Sequence, residues 1–183
     1  MIFEKYLLPD RLFDSFRDIT PEALLALGIR HIFADIDNTL ATYDDPTPPP
    51  EVTEWVESMR GAGISFACVS NNNAARVSGF CAPLGCRFYA KAGKPGTGAL
   101  RRAMEDAGAE PGNSLCLGDQ LLTDCAAGRR LGMTVFIVPP IRDKTTLFWR
   151  IKRGIEKPYM KKFAALRMKQ GEAETKQTKA KTK

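Results

Sequence analysis

Two carboxylates, Asp35 and Asp37, stand two residues apart at the end of the apolar run His31-Ile-Phe-Ala34, with Thr39 two positions further on. An extended chain sends residues i and i+2 to the same side. The spacing aims both acids at one point beyond the carboxyl end of a strand, where open α/β sheets bind ligands. Two carboxylates in so small a space repel each other unless a cation lies between them or one keeps a proton. The first arrangement is a Mg²⁺ site; the second is a nucleophile beside a general acid.

The elements needed to position these acids are legible along the chain. Thr20 as N-cap, Pro21 at the first helical position and Gly28 at the stop mark a short helix before the strand expected at about 30–36. The stiff loop Tyr43-Asp-Asp-Pro-Thr-Pro-Pro-Pro50 leads to a helix at about 51–60 and a strand at 64–69. A helix at about 74–82, a short strand near 87–90, a helix running to about 107, a strand at 114–117, a helix at about 121–130 and a strand at 134–138 complete the pattern. Strands alternating with helices of this length predict an α/β fold, a parallel sheet covered on both faces. Four of these strands lead into polar clusters: Asp35/Asp37/Thr39, Ser70/Asn71, Lys94 and Asp119/Asp124. In a parallel sheet the carboxyl ends share one edge, so these residues are expected to converge.

In this order the clusters resemble the signature of the haloacid dehalogenase (HAD) superfamily of phosphotransferases. Asp35-Ile-Asp-Asn-Thr39 matches the DxDxT motif, Ser70 the second motif, Lys94 the third and Gly118-Asp-Gln-Leu-Leu-Thr-Asp124 the acidic fourth. A closer likeness is to the YqeG-type subfamily IIIA phosphatases, carried also by Tyr6-Leu-Leu-Pro-Asp10, Asp18-Ile-Thr-Pro21, Val69-Ser-Asn-Asn-Asn73 and Arg130-Leu-Gly132. Gly93 departs from it, where a basic residue is expected before Lys94-Pro95. The resemblance implies a three-layer Rossmann-like HAD core. It also implies that Asp35 attacks phosphorus to form an aspartyl phosphate, while Asp37 protonates the leaving oxygen and then takes a proton from water. Mg²⁺ would be held by Asp35, the backbone carbonyl of Asp37 and Asp119. Ser70, Asn71 through backbone N–H groups, and Lys94 would hold the phosphoryl oxygens; Thr39 and Asp124 would support the site. Lys94, just before Pro95 and a helix start, is the expected site lysine rather than Lys91.

Spacing also limits any lid. Asp37 to Ser70 holds one loop, one helix and one strand, and Ser70 to Lys94 one helix and a short strand, so neither gap has room for a cap domain. An open site suits a substrate too large to enclose.

Composition narrows the remaining choices. The single histidine excludes multi-histidine zinc sites and Ser-His-Asp catalysis. The five cysteines form no CxxC pair and read as small buried thiols in a reduced setting. No run approaches the roughly 18 apolar residues of a membrane span, and no apolar leader is visible, so a cytoplasmic protein is expected. The net charge of +6 is uneven: residues 142–183 carry 14 Lys/Arg against 4 Asp/Glu, while 1–141 carry 13 against 17. A phosphatase domain is thus expected over 1–141, a basic aromatic helical segment over 142–168 and a disordered basic tail over 169–183. Leu147-Phe-Trp-Arg-Ile-Lys-Arg153 and Tyr159-Met-Lys-Lys-Phe163 suit peripheral contact with an anionic membrane, and phosphate backbones of nucleic acid attract the same residues. The YqeG type resembles phosphatidylglycerophosphate phosphatases, which makes that lipid the first substrate expectation. A soluble nucleotide or sugar phosphate is the alternative within phosphatases. A non-catalytic HAD scaffold docking on RNA or a ribosome-associated partner is the alternative outside them.

Overall fold

The computed structural model of the chain describes residues 4–142. The basic segment expected at 142–168 and the tail at 169–183 lie outside these residues, Arg142 apart. In chain order the elements are α1 (Glu4–Leu7), β1 (Arg11–Leu12), α2 (Pro21–Ala26), β2 (His31–Ala34), α3 (Pro50–Gly61), β3 (Ser65–Val69), α4 (Ala74–Leu84), β4 (Arg87–Tyr89), α5 (Gly98–Ala107), β5 (Ser114–Gly118), α6 (Ala126–Arg130) and β6 (Thr134–Ile137). The six strands form one parallel sheet in the order β1-β6-β5-β2-β3-β4. No cap domain interrupts the core among the described residues.

The helix boundaries follow their capping chemistry. Thr20 Oγ1 accepts the Ala23 amide at 3.3 Å ahead of Pro21, and Asn73 Oδ1 accepts the Arg76 amide at 3.0 Å to start α4. α3 begins on Pro50, whose missing N–H costs nothing in a first turn. The helix expected at 121–130 begins instead with a π-turn over Leu121–Cys125 and is α-helical only from Ala126. The edge strand β1 was not legible, because two residues flanked by Pro9 and Asp14 carry no alternation to detect. It is held by β6, with Arg11 opposite Phe136 and Leu12 opposite Ile137.

Alternation sorts the central strands into two buried faces. Ile32, Ala34, Phe66, Cys68, Leu115, Leu117 and Phe136 join side chains of α2, α3 and α4 in one apolar cluster. Cys116 and Val135 point the other way, against α6, where Gly128 allows unusually close approach. A Cβ on Gly128 would lie 2.8 Å from both Cys116 Cβ and Val135 Cγ2. These two packed layers on one sheet account for the apolar character of β2 and β5 on both sides.

Register brings the polar ends level. Ala34 is opposite Cys68 on one side and Leu117 on the other. The next residues, Asp35, Val69-Ser70 and Gly118-Asp119, therefore leave the sheet along a single edge.

Two helical glycines are expected to respond in opposite directions to alanine. Gly79, exposed in α4 with open space around it, should gain about 0.5–1 kcal/mol of stability as Gly79→Ala. Gly128→Ala should instead lose about 1–3 kcal/mol through overpacking. Urea midpoints of the two variants check this.

Candidate active site

Lys94 is the centre of the site. Its ammonium is buried and lies 3.0 Å from Asp35 Oδ1 and 2.6 Å from Asp124 Oδ1. Burial by itself would lower its pKa, but Asp124 and Asp35 override that and raise it, so the side chain stays charged. The loop carrying it is clamped at the backbone: Asn71 Oδ1 accepts the Lys94 amide at 2.8 Å, and Asn71 Nδ2 donates to the Lys94 carbonyl at 3.0 Å. Lys91, by contrast, is exposed.

Asp35 leaves β2 with its amide still bonded to the Leu117 carbonyl at 2.9 Å. Burial pushes its carboxyl up to about 6 despite the opposing pull of Lys94, and Asp124 and Asp37 add to the rise. Asp124 is buried against the end of β5. One oxygen receives Lys94; the other receives the Gln120 amide at 3.3 Å and the Thr123 hydroxyl at 3.2 Å. Gly118 is what lets it in, since a Cβ there would sit 2.3 Å from Asp124 Cγ.

Asp37 is held separately. The strand stops at Ala34, and the amides of Thr39, Leu40 and Ala41 all turn back onto the Ile36 carbonyl. Asp37 consequently turns its carboxylate away from the Lys94 ammonium that Asp35 meets and answers to a different side-chain cation, Arg76. Its carboxylate takes Asn72 Nδ2 at 2.8 Å, and Arg76 Nε and Nη2 at 3.3 and 3.1 Å. The Arg76 guanidinium also donates to the carbonyls of Thr42 and Asp45 and lies over the Phe80 ring. One side chain thereby joins α4, the acid loop and the start of the proline-rich loop.

The remaining expected residues fall as follows. Ser70 is buried, its hydroxyl accepting the Asn72 amide at 3.2 Å. Asn71 is exposed, and its side-chain amide is committed to Lys94. Thr39 is buried with its amide on Ile36; its hydroxyl has no hydrogen-bond partner among the described residues. Asp119 is buried beside Asp35 and Asp124, and one carboxylate oxygen from each of the three lies within 4.8 Å of the others. This set of hard oxygen donors, without thiol or imidazole, fits a divalent cation such as Mg²⁺. Asp37's side chain lies outside that oxygen cluster, which leaves only its backbone carbonyl for such a role.

Sequence reasoning missed four neighbours. Asn72, just before the cap of α4, and Arg76, in its first turn, look like ordinary helix-start residues. Asn38, with φ of +69°, receives the Ile141 amide on its carbonyl and the Arg142 amide on its side chain, tying the acid loop to the exit of β6. Tyr43 stands half-exposed near the acids; burial, then Asp37, Asp35 and Asp119, push its phenol up to about 12.

Residues 7–132 match the family described as haloacid dehalogenase-like hydrolase. The chain belongs to that family. It is 37% identical over 156 residues to "Probable phosphatase YqeG" of Bacillus subtilis (strain 168), a match covering 85% of this chain and 91% of the relative. This HAD hydrolase is an enzyme of the phosphatase type, and enzymes of the family generally work with a divalent metal ion. Two solved structures share the fold. A "probable yrbi family phosphatase" from Pseudomonas syringae pv. phaseolica 1448a is 18% identical, with TM-score 0.52 over 70% of this chain and 76% of that one. A "predicted HAD-like family hydrolase" from Porphyromonas gingivalis is 14% identical, with TM-score 0.51 over 67% and 97%.

The raised carboxyl of Asp35 makes a stability prediction. Its value of about 6 stands above the ordinary 3.8, so folding favours the protonated form. Below about pH 4 folded and unfolded chains are both protonated and the site costs nothing; above about pH 6 the ionised form costs on the order of 3 kcal/mol. In chelator-treated protein, Asp35→Asn is expected to raise the denaturation midpoint at about pH 7.5, an advantage that shrinks as pH falls toward 4. Denaturant titrations at several pH values measure it.

Proposed function

We propose that the chain is a Mg²⁺-dependent phosphomonoester hydrolase working through an aspartyl phosphate on Asp35, with phosphatidylglycerophosphate as the first candidate substrate. The observation that carries the catalytic part is the buried Lys94 ammonium between Asp35 and Asp124 at the carboxyl edge of the sheet. It keeps a cation beside the carboxylate that must meet an anionic phosphate.

In this reading an Asp35 oxygen forms a bond to phosphorus as the bond to the leaving oxygen breaks. Asp37, aimed by Asn72 and Arg76, gives its proton to that oxygen. Water then attacks the phosphorus of the aspartyl phosphate while Asp37 takes its proton, and inorganic phosphate leaves with Asp35 restored. Lys94, the Ser70 hydroxyl and the backbone amides after Ser70, including that of Asn71, hold the phosphoryl oxygens through both steps. Asp35, Asp119 and the Asp37 carbonyl would hold Mg²⁺, which screens nucleophile from phosphate and steadies the developing charge. Asp124 positions Lys94, and Thr39 shapes the acid loop.

The substrate part rests on different features. The capless core leaves the edge open to a bulky phosphate ester. The basic aromatic stretches at 147–153 and 159–163 suit peripheral contact with an anionic membrane, and the motif arrangement resembles phosphatidylglycerophosphate phosphatases. No helix among the described residues is long and apolar enough to cross a membrane, so the substrate would be met at a surface. The protein is read as cytoplasmic, and the two paired acids speak against a docking-only scaffold for RNA.

Purified protein is expected to release phosphate from detergent-dispersed phosphatidylglycerophosphate with Mg²⁺ and not with chelator. Faster release from a soluble nucleotide or sugar phosphate panel would overturn the lipid assignment. Asp35→Asn should lose on the order of 10³-fold or more in kcat; activity equal to wild type removes Asp35 as nucleophile.

Arg76 supplies a separate expectation. Arg76→Ala should lower kcat about 10–100-fold through misplacement of Asp37 while KM changes little. Steady-state kinetics on an aryl phosphate separate the two constants.

A further inference from the structure

Away from the carboxylates, three cysteines that form no sequence motif come together. Cys68 lies in β3, Cys81 in the last turn of α4, and Cys86 between α4 and β4. Their sulfurs all lie within 4.8 Å of one another. Cys68 and Cys81 are buried, while Cys86 is only partly so. The topology explains the meeting. α4 returns antiparallel to the sheet so that Cys81 faces the strand it has just left, and the turn at Gly85 delivers Cys86 to the same spot.

We propose that Cys68, Cys81 and Cys86 form a tri-thiolate site for a soft divalent ion of the zinc class, distinct from the carboxylate site. The geometry is near what such an ion requires. With a metal–sulfur distance of about 2.3 Å, three sulfurs on one ion stand about 4 Å apart, a closure of under about 1 Å from the arrangement present. Thiolates are soft donors that select zinc-type ions over the hard cation suited to Asp35 and Asp119.

Each coordinating thiol gives its proton to solvent on binding. Three thiolates around a divalent ion leave one negative charge, and Arg60, whose guanidinium is fixed on the Leu84 carbonyl at 2.8 Å just before Cys86, stands near to offset it. A cavity of about 390 Å³, lined by Arg60, Ser65, Phe66, Cys86, Arg87 and Ala103 among others, touches the cluster at Cys86. It opens at the amino-terminal ends of β3 and β4, opposite the edge that carries Asp35. A fourth, non-protein ligand would approach past Cys86, the partly exposed member of the three.

The test uses reduced full-length protein and Cd²⁺ alone as the probe, with Mg²⁺ in excess to saturate the carboxylates. Near-ultraviolet thiolate-to-cadmium absorption is expected to rise and saturate at one ion per chain. Cys86→Ser should weaken binding at least about tenfold, whereas Cys125→Ser should leave the absorption unchanged. Absence of the band overturns the proposal, as does an undiminished band in Cys86→Ser. Alkylation mapping of the wild type probes the same site without a variant. Cd²⁺ should protect Cys86 from a small alkylating reagent, and equal labelling with and without Cd²⁺ overturns the site.

Discussion

A buried ammonium between two buried carboxylates holds this molecule's chemistry together. Lys94 reaches Asp35 at the end of β2 and Asp124 after β5, on a loop that follows β4. Three chain segments far apart in sequence are thus joined by one charge. Charges removed from water cost several kcal/mol each unless they are paired and hydrogen-bonded. Much of the surrounding structure meets that condition: Asn71 fixes the Lys94 backbone from both sides, Gln120 and Thr123 satisfy the second oxygen of Asp124, and Gly118 leaves room for that carboxylate.

The same principle makes the two acids unequal. Asp35 is desolvated and shares its lysine with Asp124, so burial outweighs attraction and its carboxyl rises. Asp37 has its own guanidinium from α4 and an amide from Asn72. Residues two apart therefore answer to different elements, one set by the sheet edge and the other by a helix. The two carboxylates are divided between two side-chain cations, Lys94 for Asp35 and Arg76 for Asp37. Because Arg76 also binds the carbonyls of Thr42 and Asp45, the position of Asp37 depends on the proline-rich loop as well.

Much of the fold and half of the site were legible because their causes are local. Thr20-Pro21, Asn73 and Pro50 start helices through their own side chains or their own missing amide, and the apolar runs of β2, β3, β5 and β6 declare buried strands. The polar residues at the strand ends, Asp35, Ser70 and Asp119, followed once the sheet was parallel. Strand β1 escaped because its only cause is the neighbouring β6. Arg76 and Asn72 escaped because a polar residue at a helix start has the same sequence signature whether it faces water or a carboxylate. Taken singly, each cysteine reads as a buried thiol, and two of the three that converge are buried; their convergence depends on how α4 lies on β3.

The order of motifs, with Asp35-Ile-Asp-Asn-Thr39 at its head, was enough by itself to determine the sheet class, the family resemblance and which residues stand at one edge, since parallel strands bring their carboxyl ends together whatever the details of packing. Only the tertiary structure decided which charge answers which. That Lys94 pairs with Asp35 and Asp124 while Arg76 pairs with Asp37, and that three thiols meet behind them, are outcomes of register, helix placement and close approach at Gly118. Those depend on distances across the fold, and spacing along a chain does not encode them.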